Sequence, residues 1–225
     1  LLWDQGTSVA DSWITLAGIA ALTNRIKIGA LVTPITRRRP QLFARQSVTL
    51  DRLSNGRLIV GVGLGVDHKR ELSGFGEIVD PKDRSQRLDD GLQLISDLWS
   101  GKKIDYHSDS FEAKNVIFLP TPIQMPRIPV WVAGSVARSP LQRAARWDGY
   151  FPIGLNPDQL RAQLALIEKM RSNLDNFEVA VMARPNTNTK IWFEAGATWH
   201  LTTGGPDISA KELEVIIKTG PTLDR

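Results

Sequence analysis

Short apolar runs and longer amphipathic stretches take turns along almost the whole chain, and that alternation limits the fold more than any other feature. Residues 12–24 are rich in Ala, Leu and Ile behind Asp11, a residue type suited to cap a helix start, and read as a buried helix. Residues 26–33 read as a strand. Residues 40–54 carry Leu42, Phe43, Val48, Leu50 and Leu53 at roughly helical spacing, with Pro40 at the start and Gly56 just past the end, the asymmetry a helix prefers. Strand 58–64 follows directly. The pattern resumes with strand 128–133, helix 140–147, strand 150–153, helix 158–174, strand 177–182, a short helix near 190–195, strand 198–202 and helix 209–219. Parallel neighbours need a crossover, so this order predicts an α/β fold with six parallel strands.

Between the second and third strands lies residues 66–127, far longer than an ordinary strand-to-helix loop. It is read as an excursion with an amphipathic helix at 84–99, stopped by Gly101, and a small β element at 106–119. Such excursions at strand C-terminal ends are where α/β proteins build sites. A closed (β/α)8 TIM barrel needs eight strands and about 250 residues. This chain has 225 residues and opens on a helix. The expectation is therefore one domain over residues 1–225, a barrel short of its first two βα units. The competing doubly wound sheet would carry a glycine fingerprint after its first strand, and none stands there.

Composition narrows the function. The chain has no cysteine, which removes disulfides, thiolate metal sites and Cys nucleophiles, and points to a cytoplasmic location. Residues 1–10 hold no apolar core of a signal peptide and no initiating Met, so the chain is expected to begin partway through something. No apolar run approaches the roughly 20 residues of a membrane span. A net charge of +4 without a basic stripe or interleaved aromatics argues against nucleic acid as a partner. Three histidines without ligand spacing predict no metal site, and no G-x-S-x-G is present.

Several residues remain as candidates for chemistry. Gly61, Gly63 and Gly65 share one face of a strand, because strand side chains alternate. Two readings fit: a flat trough for a planar ring, or small residues that merely fit the taper of a barrel interior. Gly134 and Ser135 end a strand shortly before Pro140 opens a helix, and with Arg138 they form either a phosphate cup or an ordinary turn. Arg37, Arg38 and Arg39 follow the strand ending at Thr33 and Pro34, as an anion-attracting cluster or a solvated one. His68 lies just beyond the glycine strand and reads as a proton donor or a surface loop residue. His200 alternates with Thr198 and Thr202, as a site residue or a structural one. His107 carries no signal.

Taken together, RIKIGALVTPITRRRP, ARQSVTLDRLSNGRLIVGVGLG, RLDDGLQLISDLWSG, FLPTPIQMPRIPVWVAGS and RAARWDGYFPIG resemble, in order, the luciferase-like flavin-dependent oxidoreductases of the bacterial luciferase superfamily. EAGATWHL fits that family's last strand. The resemblance implies a TIM barrel holding FMN, or the deazaflavin coenzyme F420, at the strand C-terminal ends. It implies Thr33 beside the flavin ring, Gly61 and Gly63 in the glycine-rich strand, and Gly134 and Ser135 at the cofactor phosphate. A monooxygenase using reduced FMN and oxygen on a small organic substrate is the expected activity. An F420-dependent reductase or dehydrogenase, or an inactive flavin-binding short homologue, is the alternative. A flavin reductase supplying reduced flavin, and a homodimer, are implied partners. The family's Trp-Asp-His segment has LLWDQ as its nearest counterpart here. If Trp3-Asp4-Gln5 aligns there, Gln5 replaces a His and cannot shuttle a proton as imidazole does.

Overall fold

A computed structural model of the chain describes residues 9–183, 188–203 and 208–220. LLWDQ, with Trp3, Asp4 and Gln5, lies outside the described residues. The chain groups into two compact units, Leu1–Ala133 and Gly134–Arg225.

The first unit opens with helix α1, Ser12–Leu22, whose cap is the one the sequence predicts: the Asp11 carboxylate accepts from the backbone N–H groups of Trp13 and Ile14, both at 2.9 Å. The other end is closed by a distant residue. The buried Arg57 guanidinium donates to the carbonyls of Ala20 (2.9 Å), Thr23 (2.7 Å) and Ile26 (2.8 Å), taking up acceptors that a helix end leaves open.

Residues 26–33 do not form the expected strand. Ile28 makes one parallel bridge to Leu58, the backbone then turns, and strand β1 is only Thr33–Pro34. The reason is tertiary. Strand β2, Val60–Gly63, offers two glycines on one face, and residues 30–32 lie over them instead of continuing in the sheet.

Helix α2, Pro40–Leu53, buries Phe43, Ala44, Val48 and Leu50, and Gly56 (φ 75°) turns the chain after it. Helix α3, Pro81–Trp99, starts three residues earlier than expected because Asp80 caps it at Lys82 and Asp83. Its buried face runs Leu88, Leu92, Ile95, Trp99, and the Trp99 indole N–H donates to the Ser47 hydroxyl at 3.1 Å, fastening α3 to α2.

An antiparallel hairpin of β3, Lys103–His107, and β4, Glu112–Ile117, comes next, then β5, Val130–Gly134. β2 lies between β1 and β5, all parallel. The long excursion is thus mostly the crossover that parallel β2 and β5 require, with α3 as its helix and the hairpin added. Only residues 66–80 extend directly from the C-terminal end of β2.

In the second unit, α4 is Arg138–Ala144, β6 is Gly149–Pro152, α5 is Pro157–Arg171 and β7 is Glu178–Ala183. α6, Lys190–Glu194, β8, Trp199–Thr202, and α7, Ala210–Thr219, complete it. β6, β7 and β8 are parallel in that order. α4 starts at Arg138 rather than at Pro140, so Pro140 sits inside its first turn, where a missing N–H costs nothing. α5 begins with a capping box: Asn156 and Gln159 each accept from the other's backbone N–H at 2.9 Å. Tyr150, Leu160, Ile167 and Val181 are buried here. Among the described residues no helix is long and apolar enough to cross a membrane.

Candidate cofactor site

In the first unit the structure brings Thr33, Gly61 and Gly63 together, but not as a trough. Thr33 pairs with Val62 across the sheet, and its hydroxyl, 3% exposed as a residue, accepts from the Trp13 indole N–H at 3.2 Å. Its oxygen therefore faces α1. A Cβ at Gly61 would stand 2.3 Å from Leu31 Cδ2 and 2.5 Å from the Ala30 carbonyl oxygen, and one at Gly63 would stand 2.8 Å from Val32 Cγ2. The bare backbone is already covered by the chain's own residues 30–32. The open-trough reading is corrected accordingly: glycine at position 61 makes room for the Ala30 carbonyl and the Leu31 side chain, and glycine at position 63 for the Val32 side chain.

The loop after β2 is tightly held. Buried Arg84 donates to the carbonyls of Leu64 (3.2 Å) and Gly65 (2.7 Å), and the Asp67 carboxylate accepts from the N–H groups of Leu72 (2.7 Å) and Ser73 (2.9 Å). Those two backbone bonds hold the Asp67 carboxyl below its ordinary pKa. His68, in the same loop, is exposed.

The arginine run is partly engaged by its neighbours and partly solvated. Arg37 pairs at 2.7 Å with Glu71, which is 6% exposed, and Arg38 donates to the Gln46 side chain at 3.3 Å. Burial lowers the Arg38 pKa, and Arg37 adds to that while Asp11 opposes it. Arg39 alone is exposed. Arg37 is thus neutralised by a buried carboxylate, while Arg38 meets a neutral amide at the surface. Sequence reasoning missed Glu71 and Arg84, whose neighbours are set by packing.

A cavity of about 350 Å³ is lined by Val9, Ala10, Ser12, Thr15, Leu16, Gly29 and Ala30. Its polar groups are hydroxyls, and that of Thr15 is taken by the Asp11 carbonyl at 2.8 Å. No titratable side chain lines it, so it can hold an apolar group but supplies no acid or base.

In the second unit Gly134, Ser135 and Arg138 stand together at the end of β5. Residues 135–139 are all exposed, with their backbone N–H groups near the Ser135 hydroxyl and the Arg138 guanidinium in sequence. This donor set is the chemistry a phosphate takes: neutral N–H and O–H donors plus one cation, with no carboxylate among residues 134–140. Gly134 itself has a packing reason, since a Cβ there would lie 2.2 Å from Pro140 Cβ.

Beneath the turn lies a group the sequence reading did not single out. The hydroxyl of Tyr150, 0% exposed, is 2.6 Å from Gln163 Oε1, 3.2 Å from the Gly134 carbonyl oxygen and 3.4 Å from that of Ser135. Its one sequence signal is a phenol within the otherwise apolar buried run of β6, because a buried tyrosine must find a partner for its hydroxyl.

His200 sits on β8 opposite Val181 of β7, away from that turn in sequence and element, and its Nε2 is buried without a hydrogen-bond partner among the described residues. His107 is exposed in the hairpin, 3.7 Å from Glu112. Among the described residues no group of three or more His, Asp or Glu could hold a metal ion.

Comparison with known proteins adds a family and a fold. The family model described as luciferase-like monooxygenase matches residues 2–188. A riboflavin lyase solved with modified FMN and riboflavin aligns with TM-score 0.71 at 20% identity, over 79% of this chain and 45% of that one. The coenzyme F420 dependent tetrahydromethanopterin reductase of Methanopyrus kandleri aligns with TM-score 0.66 at 21% identity, over 81% and 57%. A monooxygenase from Streptomyces bottropensis aligns with TM-score 0.67 at 22% identity, over 83% and 59%. The chain thus spans about half the length of these structures, and the likeness is one of fold: α/β with parallel strands, as in luciferase-like TIM barrels.

Proposed function

The chain belongs to the luciferase-like monooxygenase family, and from that premise we propose that it is the cofactor-holding part of a flavin-type oxidoreductase, with the cofactor phosphate on the turn at residues 134–139. The observation that carries this reading is the exposed, carboxylate-free donor set of Ser135, Arg138 and the intervening N–H groups, seated on a buried tyrosine. When bound, reduced FMN would supply electrons for oxygen activation, whereas reduced F420 would supply a hydride.

The residues of this chain bind and orient. Ser135 and Arg138 neutralise and hydrogen-bond the phosphate. Gly61 and Gly63 act at one remove, by letting residues 30–32 pack close over β2. We favour FMN with oxygen and a small organic substrate. Coenzyme F420 is the second reading, supported by the presence of F420-dependent proteins among those of the same fold.

Fluorescence titration of the purified full chain with FMN and with F420 tests the reading. Saturable binding of one of them, weakened by Ser135→Ala, is expected. No saturable binding of either would overturn the flavin assignment. Gly134 is unsuited to the test, because any side chain there collides with Pro140.

A further inference from the structure

Helix α1 carries no Asp, Glu, Lys or Arg between Ser12 and Leu22, and only Trp13, Leu16 and Ala20 of it are buried. A helix that is apolar on every side is ordinarily covered on every side. Here Ile14 is 75% exposed and Leu22 87%. Gly18 and Ala21 are exposed too, and steps of three and four residues put all four on one stripe, opposite the buried face. Gly18 lies at its middle, with open space where a Cβ would stand.

The stripe is symmetric about Gly18. Ile14 mirrors Leu22 and Thr15 mirrors Ala21, while the exposed Asp11 just before the helix mirrors the exposed Arg25 just after it. One step further out, Ala10 mirrors Ile26, which is 53% exposed. Ala10 is a wall of the cavity of about 350 Å³ that Val9, Ser12, Thr15 and Leu16 also line. An antiparallel second α1 crossing at Gly18 therefore sets Ile14 against Leu22 twice and Asp11 against Arg25 twice. It also brings Ile26 of each copy toward the apolar cavity of the other. That reciprocity, in which the same pair of residues meets on both sides of an axis, is the requirement of a two-fold contact.

We propose that this face is a contact between two copies of the chain, paired through antiparallel α1 helices with Gly18 at the two-fold axis. Eleven residues of helix extend about 16 Å, so the contact belongs among the small interfaces and the dimer is concentration-dependent.

Sedimentation velocity of the full chain over a concentration series tests it. Dimer should replace monomer as concentration rises. Ile14→Asp and Leu22→Asp, both at exposed positions that the fold does not need, should each raise the dimer dissociation constant about tenfold or more. Because the chain has no cysteine, single cysteines report the geometry. Under copper phenanthroline oxidation Gly18→Cys should form a covalent dimer, whereas Ile14→Cys and Leu22→Cys should cross-link when mixed and not alone. A wild-type chain that stays monomeric at every concentration overturns the proposal, and so does a dimer that both Asp variants leave unchanged. Failure of Gly18→Cys to cross-link, or cross-linking of Ile14→Cys by itself, overturns it as well.

Discussion

Alanine at Gly61 and alanine at Gly18 should have opposite effects, although both add one methyl group. At Gly61 the methyl meets the Ala30 carbonyl oxygen at 2.5 Å and Leu31 Cδ2 at 2.3 Å, so backbone must shift, at a cost of about 1–3 kcal/mol or more. Gly18 lies in the exposed interior of α1 with nothing within 4 Å, where alanine should add about 0.5–1 kcal/mol. Chemical denaturation of the two variants reads both. The tyrosines give a pH signature. Burial is the main cause raising both Tyr150 and Tyr106, the only two in the chain. A group whose folded pKa is raised contributes stability that is fully present below its unfolded value, about 10, and is lost as pH climbs beyond it, because the unfolded phenol releases its proton first. Melting temperature should therefore fall from about pH 10 upward, and Tyr150→Phe should flatten that fall. An equal slope in the variant would show that Tyr150 does not titrate with unfolding.

At the scale of elements, the end of α1 depends on a residue outside it. Arg57→Met would leave the buried carbonyl of Ala20 and the partly buried ones of Thr23 and Ile26 without this donor, a loss of about 1–3 kcal/mol. Hydrogen exchange should locate the loosening in the last turn of α1 before global unfolding. Helix cores were legible because they depend on neighbours in sequence, and so was the start of α1. Asp11 is the cap as read, and Ser209, expected as the first residue of the last helix, instead caps α7 in a capping box with Glu212. What was not legible was the strand expected at 26–33. Its apolar residues satisfy any strand pattern, yet residues 30–32 are drawn over Gly61 and Gly63, and nothing local in IKIGALVT announces the glycine face that receives them. The excursion was misread for a similar reason. That α3 is the crossover between β2 and β5 is a fact about which strands are neighbours.

At the scale of the whole molecule, cofactor binding should appear as stability. A ligand that binds only the folded chain adds about 2.7 kcal/mol at a hundred times its dissociation constant. Melting curves with FMN and with F420 should shift upward for the true cofactor alone, and a shift for neither would count against the site. The sequence by itself determined the order of strands and helices, their parallel pairing and the family, since alternation, caps and motif order are carried by residues close together in the chain. It also marked Gly134, Ser135 and Arg138 as neighbours. Only the tertiary structure decided that the glycine face is filled from within, that Arg37 and Arg38 are taken up by Glu71 and Gln46, and that Tyr150 lies under the turn. Those facts depend on which groups meet after folding, from positions up to dozens of residues apart, and no local pattern specifies the partner of a buried polar group.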